Sequence, residues 1–412
     1  MQDITRVFAT RTGRMKASEI RELLKLLDRP GVISLAGGIP DPEMFPAEAF
    51  AAATARALSG PAAARSLQYS ASEGDPGLRD WIVGHMAGLG VPCARENVLI
   101  TSGSQQALDY LGKLLLSPGD VAMVGWPTYL GALGAFNAYE PCYARLSPHD
   151  NRDPAEIARD AGAGPGAALK LAYVTPDFAN PTGITLPRRD RLALLAQARA
   201  QGIAIIEDAA YQALRYEGAP IPPILALELE REAAGDIDAC RTIYCGSFSK
   251  TLAPGLRLGW VCAARPVIDK LVLLKQAGDL HSPTLNQIVL ADVAAQVFDD
   301  HLPRLRAHYR ARRDTMLAAL ADHMPGAAHW TRPEGGMFIW LTLPPEVDGA
   351  ALLARALSQE NLAFVPGAAF FPDGGGRNTV RLNFSAPAPA QIRDGIARLG
   401  RLLRQPAGAA GC

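Results

Sequence analysis

The sequence lacks the features that mark membrane-spanning, zinc-binding or nucleic-acid-binding proteins. It contains no apolar run of about 18 residues, the length that a spanning helix needs. Basic and acidic residues each number 41, so the formal net charge is zero and no basic surface is indicated. The six cysteines include no CxxC pair, which argues against a zinc site or a disulfide framework. We therefore expect no metal, no nucleic acid and no membrane as partners.

The N-terminal sequence and the cysteines bear on where the protein is located. Residues 1–16 include several arginines but no apolar core of the kind found in signal peptides. The scattered cysteines are typical of buried thiols in a reducing compartment, and we expect a cytoplasmic protein. They are Cys93, Cys142, Cys240, Cys245, Cys262 and Cys412.

The order of strand and helix patterns indicates an α/β protein with two domains. Its 412 residues are 49% hydrophobic, and near-continuous apolar strands alternate with helices, which predicts a mostly parallel sheet covered on both faces. Beyond about Arg265, two predicted long helices (283–298 and 303–321) introduce a smaller α+β domain. We expect an N-terminal segment (1–50) that joins the small domain, a large domain (51–290), a small domain (291–404) and a disordered tail (405–412).

The stretch GSFSKTLAPGLRLGW (246–260) contains a lysine, Lys250, in a constrained loop between two predicted buried strands. The hydroxyls of Ser247 and Ser249 and the guanidinium fork of Arg257 suit a phosphate dianion. A lysine beside a phosphate anchor can form a Schiff base with a carbonyl cofactor. The alternative is a solvated surface lysine.

A second small-residue turn, Ser102, Gly103 and Ser104, joins a predicted strand (98–100) to a helix that starts at Gln105. The first backbone N–H groups of such a helix can bind an anion. An ordinary strand-to-helix connection explains the same pattern. The turn matches neither GxGxxG nor GxxxxGK[ST], so no dinucleotide or nucleoside triphosphate is implied.

Polar and aromatic side chains follow other predicted strands, where α/β sheets bind ligands. Tyr129 suits stacking on a flat ring, although ordinary packing is equally consistent. Asn180 precedes Pro181 and has an amide that is free to donate a hydrogen bond. Asp208 ends a buried strand and needs a partner there, and Tyr211 lies three residues beyond it.

Five other positions have less specific patterns. Ser18 caps a predicted helix that places Arg21 on its polar face, where a solvated charge explains it without further context. Gly38 permits either close approach of a ligand or only a tight turn. Tyr69 is consistent with half-buried packing, and Arg381 is either an edge residue that faces water or a fixed receptor for an anion.

Taken together, these segments resemble the fold-type I, class I/II aminotransferases, which use pyridoxal 5'-phosphate. The likeness runs nearly from end to end and is closest to the 2-aminoadipate aminotransferase branch. It is carried by ASEIRELLK, ISLAGGIP, LQYSASEG, TSGSQQALD, PDFANPTG, GSFSKTLAPGLR, GGMFIW and TVRLNFS. The resemblance implies a large domain with a seven-stranded, mostly parallel sheet, and a homodimer with active sites shared across the interface.

The resemblance also implies a role for each candidate. Lys250 would carry the cofactor as a Schiff base, Asp208 would pair with the pyridine nitrogen, Asn180 and Tyr211 would bind the phenolic oxygen, and Tyr129 would stack on the ring. The residues implied at the phosphate are Ser102, Gly103, Ser104, Gln105, Ser247, Ser249 and Arg257, with Tyr69 reaching the phosphate or substrate of the neighbouring subunit. Those implied at the substrate are Gly38, Tyr69, Asn180 and Arg381, with Arg381 on the α-carboxylate, and Ser18 and Arg21 on a distal carboxylate.

The implied reaction is ping-pong transfer of an amino group from an L-amino acid to 2-oxoglutarate. The donor would be 2-aminoadipate or glutamate, or a bulky hydrophobic or aromatic amino acid. Trp126 and Ala179 depart from the branch pattern, which leaves 2-aminoadipate itself open. A racemase or lyase with the same cofactor is one alternative. A non-catalytic ligand-sensing domain is another, although no basic helix-turn-helix pattern precedes Ser18.

Overall fold

The structure is a computed structural model that describes residues 4–15, 31–231 and 235–405. The predicted helix with Ser18 and Arg21 lies outside these residues, as does the tail beyond Gln405. The α-helices are α1 (Ala47–Ala57), α2 (Pro61–Leu67), α3 (Pro76–Gly88), α4 (Ser104–Leu115), α5 (Leu130–Asn137), α6 (Pro154–Asp160), α7 (Arg188–Gln201), α8 (Ile224–Arg231), α9 (Arg265–Gly278), α10 (Thr284–His323), α11 (Gly349–Gln359) and α12 (Pro389–Arg404). Short 3-10 helices span Ile4–Val7, Thr10–Arg14, Pro42–Met44, Arg95–Asn97, Ile237–Ala239, Pro254–Leu256 and Gly367–Phe370. The strands are β1 (Ile33–Ser34), β2 (Val98–Thr101), β3 (Val121–Val124), β4 (Cys142–Arg145), β5 (Leu169–Val174), β6 (Ala204–Asp208), β7 (Thr242–Ser247), β8 (Gly259–Cys262), β9 (His329–Trp330), β10 (Phe338–Thr342), β11 (Leu362–Ala363), β12 (Val365–Pro366) and β13 (Thr379–Asn383).

The large domain is built on a sheet of seven of the described strands, in the order β2-β8-β7-β6-β5-β3-β4. The pairs from β7 to β4 are parallel, and β8 is antiparallel to both of its neighbours. Strands β2, β3, β7 and β8 are buried along their whole length, as expected where helices cover both faces. The predicted α/β fold with a mostly parallel, seven-stranded sheet is confirmed.

The small domain contains an antiparallel sheet in the order β12-β13-β10-β9. Arg381 lies on β13, where it pairs with Trp340 on one side and Val365 on the other. It is therefore an interior residue of this sheet and is only 1% exposed, which excludes the edge interpretation. Strand β1 pairs in parallel with β11, so the segment that precedes the large domain is joined to the small one.

Helix α10 replaces the two helices predicted around Pro303, and that part of the sequence interpretation is wrong. A proline inside a helix costs about 3 kcal/mol because it removes one hydrogen bond and clashes with the preceding turn. Pro303 and Asp299, whose carbonyl loses that bond, are both exposed, so water can satisfy the carbonyl. Phe298 and Leu305 are buried on either side, and their packing keeps the helix continuous.

The same helix passes through the expected domain boundary at residue 290. Leu290 and Phe298 pack in a hydrophobic core of the large domain, together with residues of α3 and β2. Leu305 and Tyr309 pack in the core of the small domain, together with β10 and β13. We therefore propose that the boundary between the domains lies near residue 300. Within the described ranges, no helix has the length and apolar character that crossing a membrane requires.

Candidate active site

A cavity of about 290 Å³ lies where several strands of the large sheet have their carboxyl ends. Asp208 is the last residue of β6, Ser247 is the last of β7, and Lys250 follows three residues later. Arg257 reaches the same edge from the other direction because β8, which begins at Gly259, is antiparallel to β7. The predicted residues that line this cavity are Gly38, Ser104, Gln105, Tyr129, Asn180, Asp208, Tyr211, Ser247, Ser249, Lys250, Arg257 and Arg381.

The amine of Lys250 lies inside the cavity. Its Nζ donates a hydrogen bond of 2.8 Å to the carbonyl oxygen of Gly38 and is 5.9 Å from the centroid of the Tyr211 ring. The amine is withdrawn from bulk water even though the residue is partly accessible through the cavity. Burial, followed by the positive charges of Arg381 and Arg257, lowers the pKa of Lys250 to about 8. Near neutral pH a much larger fraction of this amine is therefore neutral, and nucleophilic, than in an ordinary lysine.

Asp208 is 3% exposed and is fixed by two donors. The hydroxyl of Tyr173 donates to its Oδ2 at 2.7 Å, and the backbone N–H of Ala210 donates to its Oδ1 at 3.4 Å. Burial raises the pKa of Asp208, and the hydrogen bond from Tyr173 and the charge of Lys250 oppose that shift. A buried carboxylate of this kind favours a cationic or proton-donating group as its ligand.

Tyr173 was not singled out in the sequence, where it is one aromatic residue in an apolar strand. In the sheet it pairs with Ile206, so Asp208 lies two residues further along β6 on the same face. This relation becomes visible only once β5 and β6 are known to be neighbours. The acidic end of β6 was the signal that a donor was needed nearby.

One end of the cavity has the properties of a phosphate cradle. Helix α4 begins at Ser104, after Gly103 with φ +80°, so its first N–H groups are free to bind an anion. A Cβ atom at Gly103 would lie only 2.5 Å from Nη2 of Arg257, so only glycine lets the guanidinium approach this turn. Ser247 presents its hydroxyl to the cavity and accepts a 3.1 Å hydrogen bond from the N–H of Ser249. A helix terminus, a guanidinium and a hydroxyl together fit the phosphate of pyridoxal phosphate.

Tyr129 and Gln105 are held together near this cradle. Tyr129 immediately precedes α5, and a Cβ atom at Gly131 would collide with its ring. Gln105 donates from Nε2 to the carbonyl oxygen of Gly131 at 2.7 Å. The lack of a side chain at Gly131 thus leaves room for the ring of Tyr129, and its carbonyl holds the side chain of Gln105.

Two predicted residues have their side chains elsewhere. The hydroxyl of Ser102 donates to Oδ2 of Asp279 at 3.0 Å, and its backbone N–H donates to Gln106 Oε1 at 2.9 Å. Ser102 is therefore engaged behind the turn and not in the cavity. Tyr69 is 80% exposed, and its ring contacts His281 edge-on with centroids 5.8 Å apart.

Arg381 also lines the cavity and has a guanidinium that is only partly hydrogen-bonded. It donates from Nη1 to Asn180 Oδ1 at 2.9 Å and from Nη2 to the carbonyl oxygen of Ala36 at 2.6 Å, and it lies 4.3 Å from the centroid of the Phe338 ring. Among the described residues, its Nε has no hydrogen-bond partner. Burial lowers the pKa of Arg381 to about 10. A buried cation with a free donor suits a carboxylate ligand.

Sequence reasoning missed several other residues of the cavity wall. Phe338 comes from β10 of the small domain, and a Cβ atom at Gly38 would lie 3.0 Å from its ring. Ile39 is a half-exposed apolar side chain next to Gly38. The additional lining residues are Ile39, Thr175, Ala210, Pro254 and Phe338. The motifs GGMFIW and ISLAGGIP contain two of them, but neither motif indicates which side chain faces the cavity.

Comparison with known proteins agrees with this geometry. Residues 30–399 match the family model described as aminotransferase class I and II. The chain is 41% identical over 411 residues to aromatic-amino-acid aminotransferase 1 of Thermococcus litoralis, covering 98% of this chain and 95% of the relative. It is 40% identical over 397 residues to the 2-aminoadipate transaminase of Thermus thermophilus, covering 96% of both chains. The crystal structure of an alpha-aminoadipate aminotransferase from Thermus thermophilus, complexed with N-(5'-phosphopyridoxyl)-L-leucine, superimposes with a TM-score of 0.86 at 38% identity, covering 97% of this chain and 98% of that one.

The matched region includes the whole cavity, from Gly38 to Arg381. The cavity combines an anion cradle, a lysine amine with a lowered pKa and a buried carboxylate, which is the set of groups that pyridoxal phosphate requires. The similar crystal structure contains a phosphopyridoxyl adduct. The chain therefore belongs to the class I and II aminotransferases and is a pyridoxal phosphate-dependent transaminase that acts on amino acids and 2-oxo acids.

Proposed function

We propose that this transaminase transfers the amino group of an L-amino acid to 2-oxoglutarate. The proposal rests above all on one observation, that the amine of Lys250 and the guanidinium of Arg381 line the same cavity, and that Nε of this guanidinium has no hydrogen-bond partner among the described residues. An amine that moves protons and a cation that binds a carboxylate are the two groups that an α-amino acid requires. The names of the relatives favour 2-aminoadipate or an aromatic amino acid as the donor, and we include glutamate and bulky hydrophobic amino acids in the proposal.

When bound, pyridoxal phosphate supplies a carbonyl that captures the amino group and a ring that withdraws electrons from Cα. Lys250 is proposed as the group that removes the proton from Cα of the amino acid and delivers it to the carbonyl carbon of the cofactor. Its lowered pKa of about 8 supports this role because a general base works best when its pKa is near the operating pH. The site residues carry out the same proton movement in reverse when the 2-oxo acid reacts.

The remaining residues are proposed to hold the cofactor and to tune it. Asp208 would bind the ring nitrogen and keep its proton in place, and its buried, hydrogen-bonded position supports this. Asn180 and Tyr211 would donate to the phenolic oxygen, and Tyr129 would stack on the ring. The helix start at Ser104, with the other residues of the cradle, would hold the phosphate. The proposed phosphate subsite consists of Gly103, Ser104, Gln105, Ser247, Ser249 and Arg257.

A panel of amino donors tests the reaction and its specificity. 2-Aminoadipate, leucine, phenylalanine and kynurenine are each supplied with 2-oxoglutarate, and glutamate formation is measured. Glutamate itself is followed by the spectral change of the cofactor. We expect stoichiometric formation of glutamate and of the 2-oxo acid of the donor. Release of ammonia or a change of configuration without glutamate would instead support a lyase or a racemase.

Arg21 is expected to distinguish dicarboxylic donors from the others. It lies outside the described residues, and its proposed role is to bind the distal carboxylate together with Ser18. Arg21→Ala should therefore lower kcat/KM for 2-aminoadipate roughly tenfold, the effect of losing one charged hydrogen bond, and change kcat/KM for leucine little. Arg21→Lys keeps the charge and serves as the matched variant. Equal losses for both donors would refute the role.

We further propose a homodimer in which Tyr69 enters the site of the neighbouring subunit. Tyr69 is 80% exposed and lies beside Leu67, which is 72% exposed. Large exposed side chains of this kind are typical of surfaces that another chain covers. In a two-fold dimer both copies contribute the same surface, so each copy would complete the site of the other.

Mixing two inactive variants should restore activity if the sites are shared. Tyr69→Ala and Lys250→Ala subunits are mixed under conditions in which subunits exchange. Half of the dimers are then hybrids, and each hybrid has one intact site, so about a quarter of wild-type activity should return. Mixing Lys250→Ala with itself gives the baseline. If Tyr69 acts in its own subunit, no hybrid has an intact site and no activity returns.

The cytoplasm is our proposed location. The cysteines follow the scattered pattern that is typical of proteins in a reducing compartment. The five cysteines among the described residues form no disulfide, and three of them are buried. Fractionation of cells that produce the tagged protein would test the location directly.

A further inference from the structure

A second lysine, Lys275, is fully buried behind the phosphate cradle. It lies on α9 and is 0% exposed. Its Nζ donates to the carboxylate of Asp279, at 2.9 Å to Oδ1 and 3.0 Å to Oδ2, and also to Gln106 Oε1 at 2.9 Å and to Ser282 Oγ at 3.0 Å. A lysine amine has three protons to donate, so these bonds use its whole capacity. A buried ammonium with every donor satisfied fixes the groups around it.

Its partner Asp279 connects this lysine to the turn that forms the cradle. Oδ2 of Asp279 accepts from the hydroxyl of Ser102 at 3.0 Å and from Nε2 of Gln106 at 2.8 Å. Gln106 Oε1 in turn accepts from the backbone N–H of Ser102 at 2.9 Å. Ser102 and Gln106 flank the cradle residues Gly103 to Gln105. The ion pair therefore holds both ends of the turn without entering the cavity.

The same network extends to the segment that carries Tyr69. The carbonyl of Ser282 accepts from Gln287 Nε2 at 2.8 Å, and Gln287 Oε1 accepts from the N–H of Asp75 at 2.7 Å. Thr284 donates from Oγ1 to the carbonyl of Gln68 at 3.2 Å. The loop that follows Asp279 is thus tied to both ends of the segment 68–75, which contains the exposed Tyr69.

We propose that Lys275 and Asp279 are positioning residues that fix the cradle for the phosphate of the cofactor. This inference rests on the proposed role of the cradle. The pair acts in two ways. Its hydrogen bonds set the geometry of the turn from Ser102 to Gln106. The ammonium of Lys275 also neutralises Asp279, whose carboxylate would otherwise repel a phosphate dianion on the other side of the turn.

The proposal predicts an effect that depends on the phosphate. In the full-length protein stripped of cofactor, Lys275→Met should raise the Kd for pyridoxal phosphate roughly tenfold or more, the expected effect of disturbing hydrogen bonds to a charged group. The Kd for pyridoxal, which has no phosphate, should change less than about twofold by the same reasoning. Both constants are measured by absorbance titration, and Lys270→Met, a variant of an exposed lysine on the same helix, is the control.

If the role of Lys275 were merely structural, Lys275→Met would raise the Kd for both ligands by the same factor, and that result would overturn the proposal. An unchanged Kd for pyridoxal phosphate would also overturn it. If Lys275→Met does not fold, the same two dissociation constants are measured for Lys275→Arg and Ser102→Ala. Lys275→Arg keeps the charge and should retain most of the affinity for pyridoxal phosphate. Ser102→Ala removes one hydrogen bond to Asp279 and should raise the Kd for pyridoxal phosphate but not the Kd for pyridoxal. If the wild-type protein bound neither ligand, the cradle assignment itself would fail, which is a separate outcome.

Discussion

Lys250→Ala is expected to lower the rate of amino transfer by about 10³-fold or more, because it removes both the group that binds the cofactor carbonyl and the proposed base. Among the described residues, the amine donates one hydrogen bond, to the carbonyl of Gly38, and forms no ion pair. Burial, followed by the positive charges of Arg381 and Arg257, lowers the pKa of Lys250 to about 8. The wild-type protein should turn yellow with pyridoxal phosphate and lose this colour when an amino donor is added.

Stability separates loss of chemistry from loss of fold in this experiment. Lys250→Met keeps most of the side-chain volume and removes a charge that is costly to bury, so its unfolding temperature should equal or exceed that of the wild type. Lys270→Ala changes an exposed lysine and should retain full activity. Wild-type turnover by a folded Lys250→Ala protein, with any donor, would rule out the proposed mechanism.

The groups at the strand ends could be predicted from the sequence because a local pattern fixes their place. Asp208 and Ser247 end apolar strands, and parallel strands of one sheet bring their carboxyl ends to one edge. Lys250 and Arg257 lie in the loop between two such strands. Asn180 precedes a proline in the loop that follows strand β5. For these residues, a local sequence pattern is enough to predict a place at the edge of the sheet where the cavity lies.

Other features depended on packing between distant segments, which a local pattern does not contain. Ser102 lies in the predicted turn, but its hydroxyl meets Asp279, a residue 177 positions away along the chain. Phe338 faces the cavity because the small domain packs beside the large one. Pro303 suggested a helix end, but the buried residues on both sides of it keep α10 continuous.

Arg381→Leu is expected to lower kcat/KM for α-amino acids by about 10² to 10³-fold, because truncation of a buried charged partner costs about 2–5 kcal/mol. The guanidinium is buried, two of its nitrogens bond to Asn180 and Ala36, and its Nε has no partner among the described residues. A substrate α-carboxylate would supply the missing acceptor and the missing negative charge. The loss should therefore affect both the amino acid and the 2-oxo acid, since each carries that carboxylate.

The comparison that isolates this interaction uses phenylalanine and phenethylamine, which differ only in the α-carboxylate. The wild-type enzyme should strongly prefer phenylalanine, and Arg381→Leu should lose most of that preference because kcat/KM for the amine hardly changes. A matched control is Arg312→Leu, which removes the guanidinium that lies 2.5 Å from the buried carboxylate of Asp41 and leaves that carboxylate with His308, at 2.8 Å, as its ion-pair partner. That variant should lose about 2–3 kcal/mol of stability, the cost of losing hydrogen bonds to a charged group, whereas Arg381→Leu, which breaks no ion pair among the described residues, should lose only about 1–2 kcal/mol. A preference for phenylalanine that survives in a stable Arg381→Leu enzyme would show that another group binds the α-carboxylate.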